Sequence, residues 1–247
     1  MAKFDDRCRA RLGEVVMSDA PRARDLTQLI KSGAVNELRK ALASDPTLAL
    51  VRVDDGMAIR STLHLATDWP GGVENVSEII AQLVAAGCDP NVRAVGPHGE
   101  GPLHWAASTN DLDAIDALVD AGADLELDGA VIGGGTALAD AVAFGHWEAA
   151  ARLLEHGAKV NLWQAAALGM EDVVASAAAC ASELEITNAF WSACHGGQRG
   201  TAELLLRRGA DPGWVGHDGR TPRDQAARNG HDELVAWLDA VSAERSV

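Results

Sequence analysis

An all-α solenoid of about seven stacked helix-turn-helix units, with short β-hairpin fingers between them, is the fold class this chain predicts. Three observations carry it. The segments "LVAAGCDPN", "LVDAGADLE", "LLEHGAKVN" and "LLRRGADPG" recur, with their glycines at 87, 122, 157 and 209. Upstream stand "STLHLA" from Ser61, "GPLHWA" from Gly101, "TALADA" from Thr136 and "TPRDQA" from Thr221. Between these two markers lies a third, a residue suited to a left-handed turn: Gly33, Asn110, Gly145, Gly169, Gly197 and Gly230,.

Each unit can be justified in turn. The opening one, "LTQLIKSGAVNELRKALASDPTLAL" (26–50), departs from the others, as a terminal cap should when one of its faces meets water,. The second opens at Ser61 and carries "PGGVE" as an insertion near its turn. In the third and the last, a proline at the first helical position pre-sets φ, and Thr221 supplies a cap,. The fourth opens at Thr136. Its preceding run "IGGGT" (132–136) resembles a phosphate loop but has no lysine and no strand before it, so it reads as a hairpin tip,. From Gly145 to Gly169 is 24 residues and from Gly169 to Gly197 is 28, both short of the 35 that separate Gly87, Gly122 and Gly157. Two fingers are therefore expected to be truncated around the fifth unit. Residues 1–23 read as a solvated or loosely docked N-terminal arm, and 24–247 as the repeat domain.

The paired markers resemble the ankyrin repeat, in which a T-P-L-H-x-A turn opens a first helix and a second helix ends in G-A-D. The resemblance covers roughly residues 24 to 240, judged by the repeat period. The "SDPTL" end of the opening unit and the "PGGVE" insertion look like bacterial ankyrin proteins. The resemblance implies that His64 and His104 brace neighbouring turns. It also implies that the two positions before each inter-helix turn line a concave groove that contacts partners. Here those positions include Lys31, Asp68, Trp69, Ser108, Thr109, Phe144, Leu168, His195 and Arg228. Ala143, Phe144, Ala167 and Leu168 form an apolar floor in this reading, with Trp69 on one side and His195 and Arg228 on the other. A concave apolar patch with polar groups at its rim is a binding site by default; packing against fingers or the arm is the alternative.

The bulk composition narrows the partners. With 21 Lys and Arg against 36 Asp and Glu the formal net charge is −15, which disfavours nucleic acid and anionic membranes,. Finger tips such as Asp54, Asp55, His98, His217 and Asp218 favour basic or apolar-basic partners. No apolar run reaches the roughly 18 residues a membrane span needs, and no early segment reads as a secretion signal, so the cytoplasm is the expected compartment; a monomer is expected. The four cysteines lack CxxC spacing, so neither metal, cofactor nor disulfide framework is expected.

Chemistry is sought in two places. "ACH" (193–195) sets Cys194 beside His195, as in a thiol active site,. Adjacent helical residues project about 100° apart, so the repeat register buries Cys194 and turns His195 to the groove. Trp105, Trp163 and Trp191 depart from the family pattern, and either fill volume where fingers are missing or contact a ligand. Asp140 follows one unit after His104 and is positioned to accept its N–H, as a network member or as part of an acid–base pair. Two functions follow. One is a scaffold holding a peptide or protein without catalysis. The other is a pocket for a small apolar-bodied molecule, enzymatic if His195, His104 and Asp140 act as acid–base groups.

Overall fold

The computed structural model describes residues 14–131, 134–216 and 218–244. Lys3, Arg7, Arg9, Arg11, Cys8, Ile132, Gly133 and His217 lie outside them. The chain divides into two units, Met1–Lys159 and Val160–Val247.

The first unit is built from helix pairs: α1 (Pro21–Lys31) with α2 (Val35–Ser44), α3 (Thr62–Thr67) with α4 (Val76–Ala85), α5 (Pro102–Ser108) with α6 (Leu112–Asp120), and α7 (Ala137–Phe144) with α8 (Trp147–Glu155). α1 shows why these segments are helical. Pro21 opens it, and Ala23, Leu26 and Ile30 recur at helical spacing and are buried, while Arg24, Gln28 and Lys31 stay exposed,. Within the pairs the chain reverses through left-handed residues, Gly33 (φ 65°), Asn75 (φ 56°), Asn110 (φ 55°) and Gly145 (φ 74°). Leu63, Leu65, Ile79, Ile80, Leu83, Ile115, Leu118 and Leu138 form fully buried core.

One element departs from the sequence reading. Val15–Met17 is a strand (β1), within the stretch read as an arm, and the first helix begins at Pro21. β1 pairs in parallel with β2 (Arg52–Asp54), which pairs antiparallel with β3 (Ile59–Ser61). The physical reason is an edge: the hairpin β2–β3 would leave the outer N–H and C=O groups of β2 unpaired, and the β-branched pair Val15-Val16 supplies a matching strand. The hairpin tip is held by the Asp55 carboxylate, which accepts from the backbone N–H of Met57 and Ala58 at 2.9 Å each.

The second unit contains α9 (Leu162–Ala167), α10 (Glu171–Ala177), α11 (Glu183–His195), α12 (Arg199–Arg207), α13 (Pro222–Arg228) and α14 (Asp232–Glu244). Its turns at Gly169, Gly197 and Gly230 are again left-handed, with φ of 72°, 72° and 76°. α9 and α11 approach through fully buried alanines, Ala165, Ala166, Ala189 and Ala193, around Phe190. Small side chains permit that approach, since two helices packed through bulky residues stand farther apart. The connections at 156–161 and 178–182 contain no strand, and are shorter than the one at 208–221.

Candidate functional site

The residues that the sequence placed on a binding face fall at one recurrent position. Lys31 is the last residue of α1, Asp68 caps α3, Ser108 ends α5 with Thr109 as its cap, and Phe144 ends α7. The first unit thus repeats one geometry, the C-terminal end of the short first helix. Trp69, just past α3, is 78% exposed and Phe144 45%.

Beside Trp69 the surface is ionic. Asp68 accepts from Lys31 Nζ at 2.8 Å and from Arg60 at 3.2 Å, and the other side of the Arg60 guanidinium meets Asp55 at 2.9 Å. The Arg60 guanidinium carbon also lies 6.0 Å from the Trp105 ring centroid,. Between α1, the hairpin and α3 opens a pocket of about 380 Å³, lined by Arg24, Gln28, Lys31, Arg60, Leu65 and Asp68 among others. Sequence reasoning missed Arg24, Gln28 and Arg60. The spacing of 24, 28 and 31 along one helix face was the available signal; Arg60 gave none, because only the hairpin brings it under Trp105.

The histidines of the first unit are braces. His64 Nδ1 accepts the backbone N–H of Ser61 at 3.3 Å, and Nε2 meets the Glu100 carbonyl at 3.0 Å. His104 does the same one pair later, accepting from Gly101 N at 3.2 Å and meeting the Gly135 carbonyl at 3.3 Å. Gly135, not Asp140, therefore takes the His104 N–H. The expected His104–Asp140 pair is not assembled, because the backbone of the next turn reaches the ring first. Burial lowers both imidazoles, and the lower is His64 at about 3, where Arg52, His104 and Arg60 add repulsion against the opposing carbonyl of Glu100,. Trp105 packs edge-on against His64, with ring centroids 5.0 Å apart. Asp140 is fully buried in α7.

The remaining candidates lie in the second unit, where two expectations need correction. His195 does not open onto a surface: it is 7% exposed and stacks on Trp191 with centroids 5.8 Å apart. Its Nδ1 accepts from Gln225 at 2.7 Å and Asn229 at 2.9 Å, so the ring proton sits on Nε2,. Arg228, expected beside it, is exposed, and the contacts to the His195 ring are made by Gln225 and Asn229. Ala167, expected on the apolar floor, is fully buried, because Gly196 sits directly on its carbonyl. Leu168 and Trp163 are half-buried. Trp191 donates its indole N–H to the Arg220 carbonyl at 3.0 Å and packs under Gly216.

The Cys194-His195 dyad is inert in this arrangement. Cys194 is fully buried, and burial pushes its thiol up, so no thiolate forms near neutral pH,. In the native protein, brief iodoacetamide treatment at pH 7.5 is expected to label exposed Cys180 and to spare Cys88 and Cys194 until urea is added. Peptide mapping by mass spectrometry reads this out, and rapid native labelling of Cys194 would contradict the burial. Among the described residues no group of three or more His, Cys, Asp or Glu is placed to hold a metal ion, and no helix is long and apolar enough to cross a membrane.

Stacked helix pairs, left-handed turns between the helices and histidines bracing successive turns define a helical repeat protein, the class this geometry belongs to. Residues 63–164 match the family described as "Ankyrin repeats (3 copies)". Over 162 residues, 66% of this chain, the sequence is 30% identical to the Caenorhabditis elegans "Ankyrin repeat and KH domain-containing protein mask-1". The chain spans about 5% of that relative's length. This chain is an ankyrin-repeat protein, and ankyrin repeats generally mediate protein–protein interaction.

Proposed function

We propose that the chain is a non-catalytic scaffold that holds a peptide or protein segment along the ends of the first helices of its first unit. One observation carries this: Trp69, an indole 78% exposed at the repeat's variable position, stands beside the Lys31–Asp68–Arg60 cluster. Exposed aromatics next to a fixed ionic group are what binding hot spots are made of, since the ring buries much area at little entropic cost. We read the chain as about seven units, monomeric, with fingers cut short before and after α10. The apolar and ionic side chains along the face give a partner alternating places to dock.

A photo-crosslinking aromatic installed in place of Trp69 or Phe144 tests this, with Asp120 on α6 as the control position. In lysate of the native source, discrete protein adducts are expected at positions 69 and 144 and not at 120. Equal labelling at all three, or none, would remove the face from consideration.

A further inference from the structure

We infer that the pocket between α1, the hairpin and α3 is a carboxylate-binding subsite, which anchors an acidic side chain or a chain-terminal carboxylate of the bound peptide. The inference rests on the peptide-scaffold reading above and specifies the chemistry of its partner.

Charge is the first argument. The chain as a whole is strongly acidic, with 36 Asp and Glu against 21 Lys and Arg. The pocket inverts that sign. Three cations line it, Arg24, Lys31 and Arg60, against one carboxylate, Asp68. Asp68 is already shared between Lys31 and Arg60, and Asp55 holds only the far side of Arg60. Arg24 makes no ion pair with a described residue, and Arg60 Nε is buried without an acceptor among them. Local acceptors therefore fall short of local donors, and an incoming carboxylate supplies what is missing.

Preorganisation is the second argument. Arg60 is held by two carboxylates and stacked near Trp105, so little side-chain entropy remains to be lost when it engages a ligand,. Arg24, Gln28 and Lys31 share one face of α1 and present a charged, an amide and a second charged donor in line,. Leu65 lines the pocket and Trp69 follows Asp68 in the chain, so an apolar residue flanking the carboxylate has a surface to cover. The acidic exterior rejects a uniformly acidic segment. The ligand that fits is a single carboxylate in a basic or apolar context.

Random heptapeptide libraries, one displayed with a free C-terminus and one with the C-terminus blocked, test this when panned on the intact chain and on Arg24→Glu/Lys31→Glu. The wild type is expected to enrich peptides with one Asp or Glu at a fixed place, or a required free terminus; which library enriches tells the two sources apart. Affinity of a selected peptide is expected to fall at least tenfold in the double variant, and amidation of its carboxylate to cost less than twofold there. If the double variant melts more than a few degrees below wild type, Arg24→Gln alone serves, because Arg24 is exposed and unpaired with described residues; a threefold or greater loss is then expected. Wild-type enrichment without any acidic preference, or an acidic preference that survives in the variant, overturns the subsite and leaves the scaffold standing. No enrichment from either library overturns the scaffold reading itself.

Discussion

Gly196→Ala is expected to destabilise the protein by about 3 kcal/mol or more, an effect on the scale of a large core truncation. The backbone alone would suggest the opposite. Gly196 has φ of −82° and ψ of −1°, right-handed values that alanine adopts freely. At such a position glycine-to-alanine replacement ordinarily stabilises by roughly 0.4–1 kcal/mol, through the unfolded chain. The contact reverses the sign. A Cβ on Gly196 would sit 1.9 Å from the Ala167 carbonyl oxygen and 2.8 Å from its carbon. Neither atom is a side chain that can swing aside, so α9 and α11 must separate and open the alanine-lined contact around Phe190. Gly213, exposed and with only the Asp211 carboxylate 3.4 Å from its would-be Cβ, is the control, and Gly213→Ala is expected to stay within about 0.5 kcal/mol of wild type,. Urea titrations followed by circular dichroism measure both. A Gly196→Ala protein as stable as wild type would mean that the two helices do not meet here.

Acid is expected to unfold the protein partly through His64. In the folded chain the imidazole titrates at about 3 because it is buried, and an unfolded histidine titrates near 6.5,. Between those values the unfolded state binds a proton that the folded state refuses. Stability is therefore complete above roughly pH 6.5 and falls as pH drops toward 3, by about 1.4 kcal/mol per pH unit for this one group. His104, lowered by the same cause, adds in the same direction. His64→Leu separates this from ordinary carboxylate titration. At pH 7 the variant is expected to be less stable by about 2 kcal/mol, because the Ser61 N–H and the Glu100 carbonyl lose their partner,. Between pH 6 and pH 4, however, it should lose less stability than wild type. Urea midpoints at pH 7, 6, 5 and 4 give the difference, and a gap that stays constant with pH would exclude His64 as the acid-sensitive group.

These two residues also show how far the sequence reaches. His64 is legible as a turn brace through the family resemblance, because "STLHLA" and "GPLHWA" place it and His104 at the family's histidine position, and the structure shows the bond from the Ser61 N–H,. Gly196 was not. It stands beside Gly197, whose left-handed φ of 72° follows from its place between helices, yet Gly196 is required for a different reason, the nearness of a carbonyl one helix away. The same divide separates the candidate residues. Trp69 and Phe144 stand where the family resemblance implies a groove face, with packing against fingers or the arm as the alternative, and both are exposed. His195 and Ala167, in the same register, are buried by α13 and by Gly196.

Periodicity by itself determined the helical repeat of this protein, but not the β1 strand that pairs with its first hairpin. Apolar spacing sets which face of each helix is buried, and glycine or asparagine at each inter-helix position sets where the chain reverses; both are local properties that a linear code carries. Tertiary structure decided the site. Arg60 reaches Trp105 only because β2 and β3 fold into a hairpin, and His104 meets Gly135 only because the next turn brings that carbonyl to the ring. Such contacts depend on distances of a few ångströms between residues tens of positions apart, and the spacing of letters along the chain does not encode them.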